Sequence, residues 1–551
     1  MKVESRILLS RRSLLRASVA ALAAGGGART LRGQTAVRVA VQDPSPWHVH
    51  PPGEPFRITV SHDYSGPYPV SAQWRDFRGR ELSGPIPLPA GRATEVLAPA
   101  GEIGYYGLAL HSDAPDLLFN PDSGRRRELG FAILPEIPFA ARRLKPLSPF
   151  GLIHFDLEDP YLHPGYVKTA TTTQYRNPEQ WARHMQARRD RGLIELPINL
   201  SDSWRGSSDE PISQAELYER YTEMKRIFEA DPAVLYWELG IEENLWKGSR
   251  GPYYWPNLAA KFRIVQQAAG EVNPAIRLIY QIEGFRYGFF SDFFSSDAPP
   301  YIDILSLHPY RWPDFPSPED WLENHIVTVR ALMQNAGFAM PIWFTEVGAP
   351  HHGNPDPNGF FGYRKGAPNE SRIQGTTREG NAFYLIKMHA LAFSLGVEKV
   401  FWYNYRDRGP DIENPEHHFG LVDYWRHPKP SYCAYANLVR CLEGKRFHRR
   451  SRLPGDVWLF EFRGASQDCF VLWAYPAAER EISLAALRPG LDPSQVIGLR
   501  DTVGGVLPAP AGDVLEVDEA PRFLIVKPQS VRRAPAGRGA SPRPRLPGTQ
   551  R

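Results

Sequence analysis

A chain of 551 residues, 42% apolar and 23% charged, has the composition of an ordinary soluble globular protein but exceeds one hydrophobic core, so several domains are expected. Its net charge of +4 does not mark a nucleic-acid binder. Residues 1–36 hold seven Lys/Arg against one Glu and residues 528–551 hold six Arg and no acid, which leaves the body between them at about −8.

The elements follow in chain order. S-R-R-S-L-L-R (residues 10–16) precedes the weakly apolar S-V-A-A-L-A-A-G-G-G-A and resembles a twin-arginine export signal, so residues 1–36 are expected to direct the chain to the periplasm or outside the cell. The apolar run is too short for a membrane span, and no other stretch reaches the roughly 18 apolar residues a span requires. Residues 37–140 alternate polar and apolar in short segments such as P-F-R-I-T-V and G-Y-Y-G-L-A-L, broken by Pro and Gly, which predicts a β-sandwich. Residues 141–149 then read as a linker.

Over 150–445 the pattern changes to apolar runs separated by amphipathic helices. Strands are predicted at 151–155, 166–172, 193–199, 234–240, 276–282, 302–307, 341–346 and 397–403. Near-continuous apolar strands alternating with helices call for a parallel sheet, and eight such units predict an α/β fold, a (β/α)₈ TIM barrel. An open doubly wound sheet is the alternative, but no glycine-rich phosphate loop follows the first strand. Residues 446–527, with V-W-L-F-E-F and C-F-V-L-W-A-Y, predict a second β-sandwich, and 528–551 a disordered Pro/Arg-rich tail.

The three cysteines, Cys433, Cys441 and Cys469, are too few and odd in number for a disulfide framework. Folding in a reducing cytoplasm before export fits that scarcity, and Cys433 and Cys441 read as core thiols on one helix. No CxxC or HExxH occurs. The close pairs His48/His50, His351/His352 and His417/His418 have no carboxylate or Cys at ligand spacing, so neither metal nor cofactor is expected. The 14 Trp and 24 Tyr offer flat faces suited to sugar rings, although core packing accounts for most of them.

V-L-Y-W-E-L-G-I-E-E-N-L-W (234–246) ends an apolar run in Glu238, Glu242 and Glu243. Glu242 follows the fourth strand, and Glu346 in P-I-W-F-T-E-V-G ends the seventh. In a barrel both then stand at the C-terminal face, where chemistry gathers.

W-E-L-G-I-E-E-N-L resembles the W-E-x-x-N-E-P-N-L segment of clan A retaining glycoside hydrolases, closest to the branch of β-xylosidases and α-iduronidases. I-D-I-L-S-L-H-P-Y is similar to that branch's sixth strand, and W-F-T-E-V-G to its seventh. H-F-G-L-V-D-Y-W-R-H-P-K-P-S-Y resembles the segment after its eighth strand. The resemblance covers roughly residues 150–527 and implies an oligosaccharide or polysaccharide substrate. It makes Glu242 the general acid/base and Glu346 the nucleophile, a pair that retaining chemistry requires about 5–5.5 Å apart.

His308 and Tyr310 fall where the family holds nucleophile and sugar; the alternative is a packed loop. Trp402 reads as a stacking platform or an outward-facing core residue, and Trp204 and Trp246 as cleft linings. Glu238 is expected to point into the barrel in a structural role, and Glu243 is the substitute acid if the register slips by one. The stretch 347–376 is long enough to wall a cleft.

The family's Asn before the acid/base is Ile241 here, and its Pro after it is Glu243. In the family that Asn bonds the sugar 2-hydroxyl, so either another polar group such as Asn199 or Asn244 takes over or the substrate presents something different at C2. Otherwise the barrel binds carbohydrate without cleaving it, and this binding-only reading is the alternative function.

Overall fold

From residue 150 onward, parallel strands alternate with helices in the computed structural model, which describes residues 35–99, 101–113, 117–119, 128–168, 177–199, 209–240, 242–245, 251–311, 314–351, 360–361, 373–411, 414–510 and 512–529. The strands are β1 (Phe150–Ile153), β2 (Tyr166–Lys168), β3 (two pieces, Ile194–Glu195 and Ile198–Asn199), β4 (Tyr236–Leu239), β5 (Arg277–Glu283), β6 (Ile304–His308), β7 (Ile342–Val347) and β8 (Val397–Trp402). Between β2 and β8 run helices α1 (Pro178–Asp190), α2 (Gln214–Ala230), α3 (Tyr254–Val272), α4 (Tyr287–Ser295), α5 (Leu322–Asn335) and α6 (Arg378–Ser394), and α7 (Pro430–Leu442) follows β8. No helix separates β1 from β2.

All pairings in this sheet are parallel, in the order β2, β1, β8, β7, β6, β5, β4. The first piece of β3 pairs with β2 and the second with β4. Leu196 N donates to Val167 O (2.7 Å) and Glu238 N to Pro197 O (3.0 Å), so β3 joins the two ends of the ladder and the sheet curls into a TIM-like barrel. Pro197 lacks the N–H that would continue the ladder, which accounts for the split in β3.

Local signals set the helix ends. Ser213 Oγ accepts from Glu216 N (3.2 Å) while the Glu216 carboxylate accepts from Ser213 N (3.0 Å), a reciprocal cap that starts α2. Pro430 occupies the first turn of α7, where its missing N–H costs nothing. Helix α6 is buried from Asn381 through Phe393, because barrel strands cover one side and other units the rest. Phe77, N-terminal to the barrel, meets Phe383 edge-on at 6.5 Å, and Phe462, C-terminal to it, meets Phe393 at 6.4 Å.

The N-terminal unit holds a five-stranded sheet and a three-stranded sheet, Val39–Gln42, Arg57–His62 and Thr94–Leu97, which share one apolar core around Trp74 and Phe131. The indole N–H of Trp74 donates to Leu97 O (2.8 Å) and ties the two sheets together. C-terminal to the barrel stands a six-stranded antiparallel sheet with a two-stranded ribbon, over a core of its own. Residues 141–149, expected as a linker, are bonded to the barrel: Tyr166 OH donates to Pro146 O (2.7 Å) and Lys399 Nζ to Ser148 O (2.8 Å). Cys433 and Cys441 are buried on α7, as expected. No described helix is long and apolar enough to cross a membrane. Of the expected signal and C-terminal tail, residues 1–34 and 530–551 lie outside the described residues.

Candidate active site

Strands β4, β6 and β7 bring Glu242, His308 and Glu346 together at the C-terminal end of the barrel. One ligand-type atom from each, a carboxylate oxygen from either glutamate and a ring nitrogen from the histidine, lies within 4.8 Å of the other two. All three are buried. Glu242 adopts a left-handed backbone, φ 48°, that costs a residue bearing a Cβ on the order of 1 kcal/mol, a strain typical of functional positions.

Each carboxylate has its own attendant from the end of β6 and the residues just after it. His308 Nδ1 lies 3.1 Å from Glu242 Oε1, and its Nε2 lies 3.0 Å from Thr345 Oγ1. A carboxylate only accepts, so with Glu242 ionised Nδ1–H donates to it, Nε2 accepts from the Thr345 hydroxyl, and Thr345 Oγ1 accepts from Ser306 Oγ at 2.5 Å. Tyr310 OH donates to Glu346 Oε1 (2.9 Å). Below the pair, Lys168 Nζ donates to Glu238 Oε1 (2.8 Å) and Thr345 O (3.1 Å), with both charged side chains almost fully buried. Glu238 therefore points into the barrel in a structural role.

Trp402 belongs to the core. Its fully buried ring packs against Tyr384 (6.3 Å) and His389 (6.1 Å) of α6, outside the strands, so it does not line the cleft. Side chains alternate along a strand, and the inward place goes to the next residue, Tyr403. Its ring approaches Phe419 (5.3 Å), Tyr310 (6.4 Å) and His154 (6.2 Å), and the Arg408 guanidinium lies 5.3 Å from its centroid. Arg408 Nη2 also donates to His154 Nε2 (3.4 Å). His154 follows β1 and keeps solvent contact, yet crowding by protein, and then the Arg408 charge, push its pKa down to about 4 against the opposing pull of Glu346. Tyr403, His154, Arg408 and Thr345 were not singled out from the sequence; the alternation of β8 and the threonine directly before Glu346 are the signals that point to two of them.

Asn244 is committed elsewhere. Its amide donates to Glu283 O (2.7 Å) and its carbonyl accepts from Glu283 N (3.0 Å), so it pins the turn after β4 to the end of β5 and does not serve as a sugar ligand. Asn199 ends β3 opposite Leu239. Glu243 opens a short 3₁₀ turn. Trp204, Ile241 and Trp246 lie outside the described residues, as do most of 352–372.

A second set of ligand-type side chains, His351, Asp407 and His418, also places three such atoms within 4.8 Å of one another. Asp407 is pushed up to about 6 by burial, against the pull of Lys429.

No family model matches the chain, and no curated protein matches it. Among solved structures it is similar to a family 39 glycoside hydrolase from the gut symbiont Bacteroides cellulosilyticus WH2, with a TM-score of 0.61 and 19% identity over 89% of this chain and 100% of that one. A glucosidase from Croceicoccus marinus (TM-score 0.44, 14% identity, 66% of this chain and 90% of that one) is a more distant neighbour. So is a β-glucuronidase from Ruminococcus gnavus (TM-score 0.34, 14% identity, 73% and 67%). These two are too remote to carry an argument. The first likeness concerns fold alone.

Proposed function

We propose that this chain is a retaining glycoside hydrolase in which Glu346 is the nucleophile and Glu242 the general acid/base. The observation that carries the reading is the approach of a carboxylate oxygen of Glu242 to one of Glu346 within 4.8 Å at the barrel mouth. Inverting enzymes hold their carboxyls roughly 6.5–9.5 Å apart to admit a water, and retaining enzymes about 5–5.5 Å apart. Glu346 attacks the anomeric carbon while Glu242 protonates the departing oxygen. A glycosyl ester forms on Glu346 and the leaving group gains the proton. Glu242, now ionised, takes a proton from water, which displaces Glu346 and releases the sugar.

The attendants fit these roles. Tyr310 orients Glu346 by its hydrogen bond, and His308 engages Oε1 of Glu242, leaving Oε2 to carry the proton. Tyr403, His154 and Arg408 wall the place where a sugar ring would sit. The substrate is an oligosaccharide or polysaccharide, and the motifs favour the β-xylosidase/α-iduronidase branch. The flanking units are two β-sandwiches, at 37–140 and 446–527, and residues 10–16 direct export to the periplasm or beyond.

Replacing the acid tests the reading. Glu242→Ala is expected to lose about 10²–10⁴-fold on glycosides with poor leaving groups and far less on activated aryl glycosides. Azide should restore turnover and yield a glycosyl azide of the substrate's own anomeric configuration. Equal loss on both substrate types, or no azide product, counts against the assignment.

A further inference from the structure

The loops beyond β7 and β8 gather a second constellation. His351 follows β7 by four residues, and Asp407 and His418 belong to the segment between β8 and α7. All three are buried. Backbone and side-chain bonds hold them in place: His351 N donates to His418 O (3.1 Å), and Gly420 N (2.8 Å) and Lys429 Nζ (2.6 Å) both donate to Asp407 Oδ1. That leaves Asp407 Oδ2 turned toward His418 Nδ1, at 3.8 Å.

The protons follow from the partners. His418 Nε2 lies 2.9 Å from Asp411 O, and a carbonyl only accepts, so Nε2 carries a hydrogen and Nδ1 is the ring nitrogen turned to Asp407. That nitrogen and the carboxylate oxygen stand 3.8 Å apart. The spacing suits two ligands each about 2.1 Å from one ion, and a ligating imidazole whose other N–H is fixed by a backbone carbonyl is the usual outer-shell arrangement.

We propose that His351, Asp407 and His418 form a binding site for a divalent transition ion of the zinc class, with the remaining positions taken by water. Two imidazoles and one carboxylate favour such an ion over Ca²⁺ or Mg²⁺, which need mostly oxygen ligands. The ion joins the segment after β7, which bears Glu346, to the segment after β8. Phe419, beside His418, packs on Tyr403, so the ion braces one wall of the candidate active site. The proposal does not rest on glycoside hydrolysis.

The full chain, stripped with a chelator, is titrated with Co²⁺ and then Zn²⁺. The expected result is about one equivalent of Co²⁺ per chain with visible bands of nitrogen and oxygen ligation, bleached by Zn²⁺, and a melting temperature that rises with Zn²⁺. His351→Gln and His418→Gln are expected to lose that equivalent, while Glu346→Gln keeps it and so separates this cluster from the glutamate pair. The wild-type spectrum decides the matter even where a variant fails to fold. Absence of Co²⁺ binding, a thiolate charge-transfer band, or binding lost in Glu346→Gln and kept in folded His418→Gln overturns the proposal.

Discussion

Tyr310 and His308 stand two residues apart at the end of β6, yet each attends a different carboxylate. Tyr310→Phe removes only the hydroxyl that donates to Glu346. A hydrogen bond to a charged group contributes about 1.5–3 kcal/mol, so a modest fall in melting temperature is expected, together with a fall in kcat/KM of roughly 10–100-fold as Glu346 loses its orientation. Steady-state kinetics beside a thermal melt checks both. At this scale the sequence singled out Glu242, Glu346, His308 and Tyr310, which the structure brings together, because each ends or follows an apolar run whose direction is fixed by the barrel. It misplaced the aromatic on β8. Trp402 and Tyr403 are adjacent, ring chemistry favours the indole, and only strand alternation decides for the tyrosine. Asn244 was misread for another reason: an amide near a carboxylate invites a sugar-binding role, but the backbone of Glu283 already takes both its ends.

Strands and helices were the most legible level, since runs such as those of β5 and β6 are apolar enough to be buried on both faces. The ends were less so: the first strand was expected over 151–155, and β1 runs over Phe150–Ile153. The interior pair Lys168–Glu238 reaches from β2 to β4 and is nearly inaccessible to water. Lys168→Met is expected to destabilise the fold by about 3–5 kcal/mol, because it strands a buried carboxylate, and Lys168→Met combined with Glu238→Leu by less. Denaturant melts of the single and double variants measure the difference. On α6, His389 is fully buried and burial pushes its pKa down to about 4. Its unfolded pKa is near 6.5, so the unfolded chain binds the extra proton between those values, and stability falls as pH drops from about 6.5 to 4. His389→Gln, which does not titrate, is expected to shallow that slope by up to about 1.4 kcal/mol per pH unit in stability measured against pH.

For the molecule as a whole, the C-terminal unit is fastened to the barrel through Glu319. That buried carboxylate accepts from the Trp473 indole (2.7 Å) and lies 3.0 Å from Lys387 Nζ on α6. Lys387 also sits 5.6 Å and 5.2 Å from the ring centroids of Trp473 and Tyr475. Glu319→Ala leaves this cation without its carboxylate and is expected to cost about 3–5 kcal/mol, read by calorimetry as a lower melting temperature. Contacts of this kind were beyond a linear reading, as was the meeting of His351 with Asp407 and His418: residues far apart in the chain show no ligand spacing until the loops at one end of the barrel bring them together. The pairing of Glu242 with Glu346 escaped that difficulty only because a barrel assigns every strand end to one face.

The most direct test of that pairing is chemical capture. The protein is incubated with a fluorinated glycoside of a sugar it turns over, whose glycosyl ester hydrolyses slowly, then digested and its peptides weighed. The account predicts one added sugar, on the peptide containing Glu346, and none in Glu346→Gln. A label on any other residue, or turnover with no label on either glutamate, contradicts it.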